Sequence, residues 1–437
     1  MRMKKFLAIS MLTIMAWSSS GCSDNKEYSK AVEIHFQVFY PENHPFFADG
    51  KLVKAAENFH KLNPDIKVII DYLESNEAMA LTDNDTKLLE SDKPQDIVPF
   101  AINKLGLAEQ NGWLRDMSSL VSLSGPGQMD INQTILEAGT INGKLLLLPY
   151  AVNPRVILYN KDIFDKARIP YPQEEWTWEQ FRDISKKIKP SIGSGSVLPY
   201  EPLTFDVLMA STGKGILSPS GDTSVGYLDS PEAVRTIQWL NQYYQDNVDE
   251  LHKLSPKSNS DALDGFVDYS TGMILNSAFS KFYSFEGTNK DKLGIASLPY
   301  FEAGKRANAI GFSTIGISQK SQHPQEAWAF IEYLTLTNNE DSIQFSDTIL
   351  TSAKVAEAAG QTTDPSKSVA LKEMDYVVKS SSEANQFFTQ AWNKELTAQF
   401  QELLRTEDHN IPARLHELAL ALDKELNRLK TIDEQLE

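Results

Sequence analysis

The chain has 437 residues, 41% of them hydrophobic and 10% aromatic. That is long for one core and far too apolar for disorder, so two domains are expected. A formal charge of −17 excludes nucleic acid and anionic lipid surfaces as partners of the folded body, and a single cysteine excludes a disulfide framework.

Residues 1–22 lie outside the expected fold. Arg2, Lys4 and Lys5 form a basic start, the apolar run over 6–17 is too short to span a bilayer, and small residues lead to Cys22. This resembles a bacterial lipoprotein signal, in which the cysteine becomes the lipid-bearing N-terminus, although Ser19 stands where that pattern has Leu. On this reading Cys22 anchors the chain to membrane lipid, residues 23–30 are a polar tether, and the body lies on the outer face of the cell membrane or in the periplasm. A free thiol left by chance is the alternative.

In the body, alternation of Val32, Ile34, Phe36 and Val38 predicts a first strand over 32–40. It runs into a turn-rich loop carrying Tyr40 and Glu42, at the kind of carboxyl end where α/β proteins gather ligands. A helix over 51–62, with Leu52, Ala55, Ala56 and Phe59 on one face, and a strand over 66–72 complete a βαβ unit and imply a parallel sheet. The acidic stretch 82–92 lacks the Gly and terminal Glu of a calcium loop and reads as a solvated helix start. A third strand over 96–100 brings Phe100 and Asn103 to the same rim, and a helix over 105–113 follows.

The chain is organised around residues 143–160, GKLLLLPYAVNPRVILYN. Two short apolar runs, 145–148 and 156–159, flank a polar insert over 149–154. Pro149 and Pro154 have no N–H to donate to a ladder, so the sheet is expected to be interrupted between them. A strand leaving one sheet and entering another reads this way, with Tyr150 and Asn153 lining a cleft between two lobes; so does an ordinary strand–turn–strand pair.

Asn160 then begins a helix, and Thr177 with Gln180 forms a capping box for another, with Trp176 and Trp178 as packing residues. Gly213-Lys214-Gly215 lacks the Walker spacing and reads as a loop. A helix over 230–247 sets Tyr243 and Tyr244 about 100° apart, which predicts one in the core and one at the surface. Strands over 271–279, 293–299 and 311–318 and a helix over 324–336 follow, and from 353 onward the chain is almost wholly helical.

Seven scattered histidines show no metal spacing, there is no nucleophile elbow, and no carboxylate pair stands out, so neither metal, cofactor nor catalysis is expected. What recurs is aromatic and amide residues at predicted strand ends: Tyr40, Phe100, Tyr150, Asn153, Asn276, Phe279 and Phe312. Together they suit a neutral polyhydroxylated ligand, whose ring face stacks on an aromatic while its hydroxyls pair with amides.

The run over 143–164 followed by TWEQF, and TGMILNSAF followed by LGIASLPYFEAGKRANAIGFSTIGIS and the helix around Trp328, resemble family-one extracellular solute-binding proteins, the sugar-binding components of ABC importers. The resemblance covers essentially the whole mature chain. It implies an α/β, type II periplasmic-binding-protein fold of two lobes, each a mixed or parallel sheet flanked by helices, joined by a multi-crossing hinge. The expected division is 31–148 with 285–337 for one lobe and 149–284 with 338–437 for the other. Beside maltose-binding protein, Asn153 falls where that protein has an acidic ligand contact, Phe100 and Asn103 near a stacking tryptophan and an aspartate, and Phe279 and Trp392 at two further tryptophans. Phe205 lies near its contact loop. These departures argue against maltodextrin itself and leave the carbohydrate class standing.

The resulting expectation is a monomeric, non-enzymatic carbohydrate receptor that delivers an oligosaccharide to an ABC permease. The alternatives are a secreted carbohydrate-active enzyme and a binding protein for a peptide, polyamine or metal.

Overall fold

The computed structural model describes residues 31–38, 50–72, 89, 95–125, 129–192, 194–198, 202–246, 271–276, 292–344, 349–405 and 410–436. Strand β1 (Val32–Val38) and β2 (Ile66–Tyr72) pair in parallel, joined by the helix Lys51–Leu62, which buries the apolar face read from its spacing. Strand β3 (Ile97–Pro99) lies parallel to β1 on its other side.

A small hairpin of β4 (Thr140–Ile141) and β5 (Lys144–Leu145) precedes β6 (Leu148–Asn153) and β7 (Val156–Asn160). These last two strands belong to different sheets. The first sheet runs β12-β6-β11-β3-β1-β2 and the second β10-β7-β9-β8, where β8 is Ser194–Val197, β9 Thr271–Asn276, β10 Leu293–Ala296, β11 Asn308–Ile317 and β12 Ile349–Leu350. A last strand, β13 (Val377–Lys379), runs parallel to the start of β11. Residues 143–160 therefore cross from one sheet to the other.

The proline-bearing insert differs from expectation. Residues 149–153 are not a gap; they are the body of β6, paired with both β11 and β12. Pro149 is opposite Thr314 and Ala151 opposite Ser313, with a register shift between, so Tyr150 is the extra residue of a β-bulge. The bulge lets a ladder tolerate a residue with no N–H. Only Pro154 and Arg155 separate the two strands.

The first sheet's core gathers Phe36, Phe59, Trp328, Phe330 and Ile331, with Phe59 and Phe330 edge to face at 5.0 Å. The helices Lys51–Leu62 and Pro324–Thr335 supply the covering layer. The second core gathers Phe164, Trp178, Phe181, Phe205, Tyr243 and Phe400 with the long helix Ile411–Leu436. Its capping box forms as read: Thr177 N–H donates to Gln180 Oε1 (2.9 Å) and Gln180 N–H to Thr177 Oγ1 (3.2 Å). Tyr243 and Tyr244 correct the one-in, one-out expectation. Both are buried, because the helix Pro231–Asp246 packs against the helices Pro202–Ser211, Lys394–Arg405 and Ile411–Leu436 and also reaches β8, where Tyr243 Oη meets Ser196 Oγ at 2.9 Å.

The expected lobe boundaries shift with the strand pairing. β6 belongs to the first sheet, β10 to the second, and 349–379 returns to the first through β12 and β13. The cause is β11, whose 10 residues are long enough to take β13 beside its first turn of pleat, β6 along its middle and β3 at its end.

Candidate functional site

Among the described residues, three stretches of chain pass between the sheets. The first is Pro154-Arg155, between β6 and β7. The second, residues 297–307, links β10 to β11. The third leaves β13 and enters the short helix Ser381–Ala384, after which residues 388–404 and 411–429 pack into the second core.

Side chains bind these passages together. Asn308 Oδ1 accepts from the Arg155 N–H at 3.0 Å, and Asn308 Nδ2 donates to the Arg155 carbonyl at 2.8 Å and to Glu373 Oε2 at 2.7 Å. Glu373 Oε1 takes Arg306 Nη2 at 2.6 Å, while Arg306 Nη1 reaches Glu175 at 2.8 Å. The Arg306 guanidinium also lies over the Tyr376 ring, 4.2 Å from its centroid. Burial pushes the Glu373 carboxyl upward, against the pull of Arg306 and Asn308. At the third passage, buried Asp206 on the helix Pro202–Ser211 accepts from Ser381 N–H (2.8 Å) and Oγ (2.6 Å); burial raises its carboxyl, and those two bonds and Arg155 oppose that.

Around this junction lie several of the expected contact residues. Asn153 ends β6 opposite Gly311, and Asn276 stands opposite Val156 at the start of β7, so the two amides flank the first passage. Tyr150 and Phe312, on paired strands, are both half-buried against the first core. A bulge re-aims the side chain it carries and is common beside binding sites, which gives Tyr150 a distinct position. Asn103 sits on the 3-10 turn Ile102–Lys104, half-exposed, and that turn packs against the helix Ser381–Ala384.

Other expected residues are core. Phe205 has 0% exposure and packs on Phe400 at 5.2 Å; an enclosed ring has no face to offer a ligand. Trp392, 7% exposed, is wedged between Phe388 (5.6 Å) and Phe400 (5.5 Å). Phe100, 3% exposed, meets Trp113 edge-on, and its carbonyl accepts from Thr314 Oγ1. Tyr40, Glu42, Phe279 and Cys22 lie outside the described residues.

One residue at the junction carries no sequence signal. Glu383 lies in the plain run Ser380–Asn385, yet its Oε1 accepts from the Phe312 N–H at 3.4 Å and its Oε2 is buried with no hydrogen-bond partner. Among the described residues no cluster of three His, Cys, Asp or Glu could hold a metal ion, and no helix is long and apolar enough to cross a membrane.

A family model described as bacterial extracellular solute-binding protein matches residues 48–340. A binding protein of Brucella abortus is 26% identical over 208 residues, covering 46% of this chain and 49% of the relative, so the chain spans about half the length of the first curated relatives it matches. The galactooligosaccharide-binding protein of Bacillus subtilis is 23% identical over 251 residues, 56% of this chain and 57% of that one. Among solved structures, the sugar-binding protein MalE of Xanthomonas citri superimposes with a TM-score of 0.74 at 17% identity, covering 92% of this chain and 100% of its own. That likeness shows the fold, a type II two-lobe solute-binding architecture.

Proposed function

Because the chain belongs to the bacterial extracellular solute-binding proteins, we propose that it captures a neutral oligosaccharide at the junction of its two sheets and hands it to an ABC permease. The observation that carries the reading is the group Tyr150, Phe312, Asn153 and Asn276: two half-buried aromatics on the paired strands β6 and β11, one of them on a bulge, and two amides flanking the first passage. Ring faces and amides are what a sugar needs, since its apolar face stacks while each hydroxyl requires a partner. The names of the Bacillus subtilis relative and the Xanthomonas citri structure support the same class. Asn103 from the 102–104 turn joins this set, as do Tyr40, Glu42 and Phe279 from the sequence reading.

Closure over sugar is then the working motion. Moving an open-to-closed ratio from 1:99 to 99:1 requires about 10⁴-fold tighter binding to the closed form, and contacts from both sides of the junction supply that difference. Cys22, lipidated, anchors the chain outside the membrane as a monomeric receptor rather than an enzyme.

The test is a thermal-shift screen of the purified full-length chain against glucosyl and galactosyl oligosaccharides, peptides, polyamines and metal ions. A true ligand at 100 times its Kd adds about 2.7 kcal/mol of apparent stability. A shift with an oligosaccharide is expected. A shift with peptide, polyamine or metal alone, or hydrolysis of the glycan, overturns the reading.

A further inference from the structure

The helix Ser381–Ala384 straddles the junction. Ser381 is held to the second-core helix Pro202–Ser211 through Asp206, while the same short helix packs on the 102–104 turn of the first side. Glu383 of this helix touches β11 through the Phe312 N–H. Charged groups approach it from each neighbouring element: Lys379 from β13 and Arg155 from the first passage both pull its carboxyl down, and Lys104 lies on the packed turn.

Against this stands one unexplained atom. Glu383 Oε2 is buried and accepts or donates no hydrogen bond. A buried polar atom without a partner costs free energy and is rare enough to ask for a reason. Strain is not that reason, since the residue sits in an ordinary helical turn. What the atom lacks is a partner from outside the chain.

Resting on the sugar-binding reading above, we propose that Glu383 is a further specificity-determining contact, pairing its free carboxyl oxygen with one hydroxyl of the bound oligosaccharide. Separation of the two sides, which sugar entry requires, parts the helix Ser381–Ala384 from the 102–104 turn and uncovers that oxygen. Closure over the sugar then replaces an orphaned atom with a hydrogen-bonded one, so the contact is made fully only in the closed state. The chemistry suits a hydroxyl better than a cation. Burial raises the carboxyl to about 8, so near neutral pH it carries a proton and offers both a donor and an acceptor, while Lys379 and Arg155 repel a positive ligand. Asn153 and Asn103, beside the first passage and on the packed turn, are amides, so Glu383 adds a carboxyl at this side of the junction.

The test uses the full-length chain and the oligosaccharides that shift it in the screen above, with Kd read by titration calorimetry and melting temperature read on the unliganded protein. Glu383→Met keeps length and volume but removes both polar atoms; Glu383→Gln keeps a donor and an acceptor. The expected result is a loss of about tenfold in affinity for the Met variant, largely recovered in Gln, with the unliganded melting temperature of both at or above that of the parent. A merely structural role would instead lower the melting temperature of the Met variant. The inference is overturned if Met binds within about twofold of the parent, or loses affinity only in step with a lowered melting temperature. Equal binding by all three forms rejects Glu383 and leaves the sugar reading standing. A screen that yields a peptide or polyamine rejects the sugar reading and with it a hydroxyl partner for Glu383.

Discussion

Asn308 and Arg155, 153 residues apart, form a closed pair in which one side-chain amide satisfies both the N–H and the carbonyl of the other residue's backbone. Arg155 lies in the first passage between sheets and Asn308 opens β11 at the end of the second, so one side chain fixes the spacing of two chain crossings. A hinge needs its strands held together while its lobes move. This pair does the holding.

Asn308→Ala leaves the Arg155 N–H and carbonyl and Glu373 Oε2 without this partner in a site where Asn308 is fully enclosed. Each unsatisfied group costs about 1–3 kcal/mol, so urea denaturation should show a loss of at least about 2 kcal/mol. Asn308→Asp should do worse, because it sets a second carboxyl beside Glu373.

The Arg306–Glu373 pair should behave as a buried ion pair, with side chains 5% and 0% exposed. Removing one member strands the other, at about 3–5 kcal/mol. Arg306→Met is therefore strongly destabilising, and adding Glu373→Gln should restore part of the loss. A single variant within about 1 kcal/mol of the parent would mean the pair behaves like a surface bridge.

Glu373 is held by strong donors; Glu383 is not, and its titration should be visible in stability. Burial raises its carboxyl from 4.5 to about 8. Below the lower value the proton is bound in both folded and unfolded chains and the group has no effect. Between the two, the unfolded chain ionises while the folded one keeps its proton, so stability falls as pH rises; above the upper value the loss is complete. Melting curves of Glu383→Gln and the parent should coincide at acid pH, diverge in favour of Gln through neutrality, and run parallel in alkali. A constant offset across that range would contradict the assignment.

Tyr150→Ala and Phe312→Ala should weaken oligosaccharide binding while sparing the fold, since both rings are half-buried at the rim and neither lies in the interior of a core. Ring stacking is worth about 0.5–1.5 kcal/mol beyond burial, so calorimetry should show at least about a twofold loss for each. Phe205→Ala is the contrast: it empties a core site beside Phe400 and should cost about 3–5 kcal/mol of stability.

The amino-acid sequence by itself determined the local elements and, through resemblance, the architecture. The helix Lys51–Leu62 buries Leu52, Ala55, Ala56 and Phe59 because that spacing repeats every helical turn, and the Thr177–Gln180 box forms because its partners are three residues apart. The two apolar runs within residues 143–160 were legible too, but that they enter different sheets and are not an ordinary strand–turn–strand pair was decided by the distant strands they pair with. What only the tertiary structure decided is everything set by partners distant in sequence. The bulge at Tyr150 exists because β11 supplies the opposing register; Tyr243 and Tyr244 are both buried because helices and a strand surround theirs; Phe205 and Trp392 are core because Phe400 lies between them. Glu383 carries no pattern at all, and it acquires its character from burial, which Phe312 and Arg155, brought from distant segments, and nearby Lys379 oppose without overcoming. Periodicity encodes which face of an element is apolar. It does not encode which other element will cover that face, and a site assembled from three crossings is made of such choices.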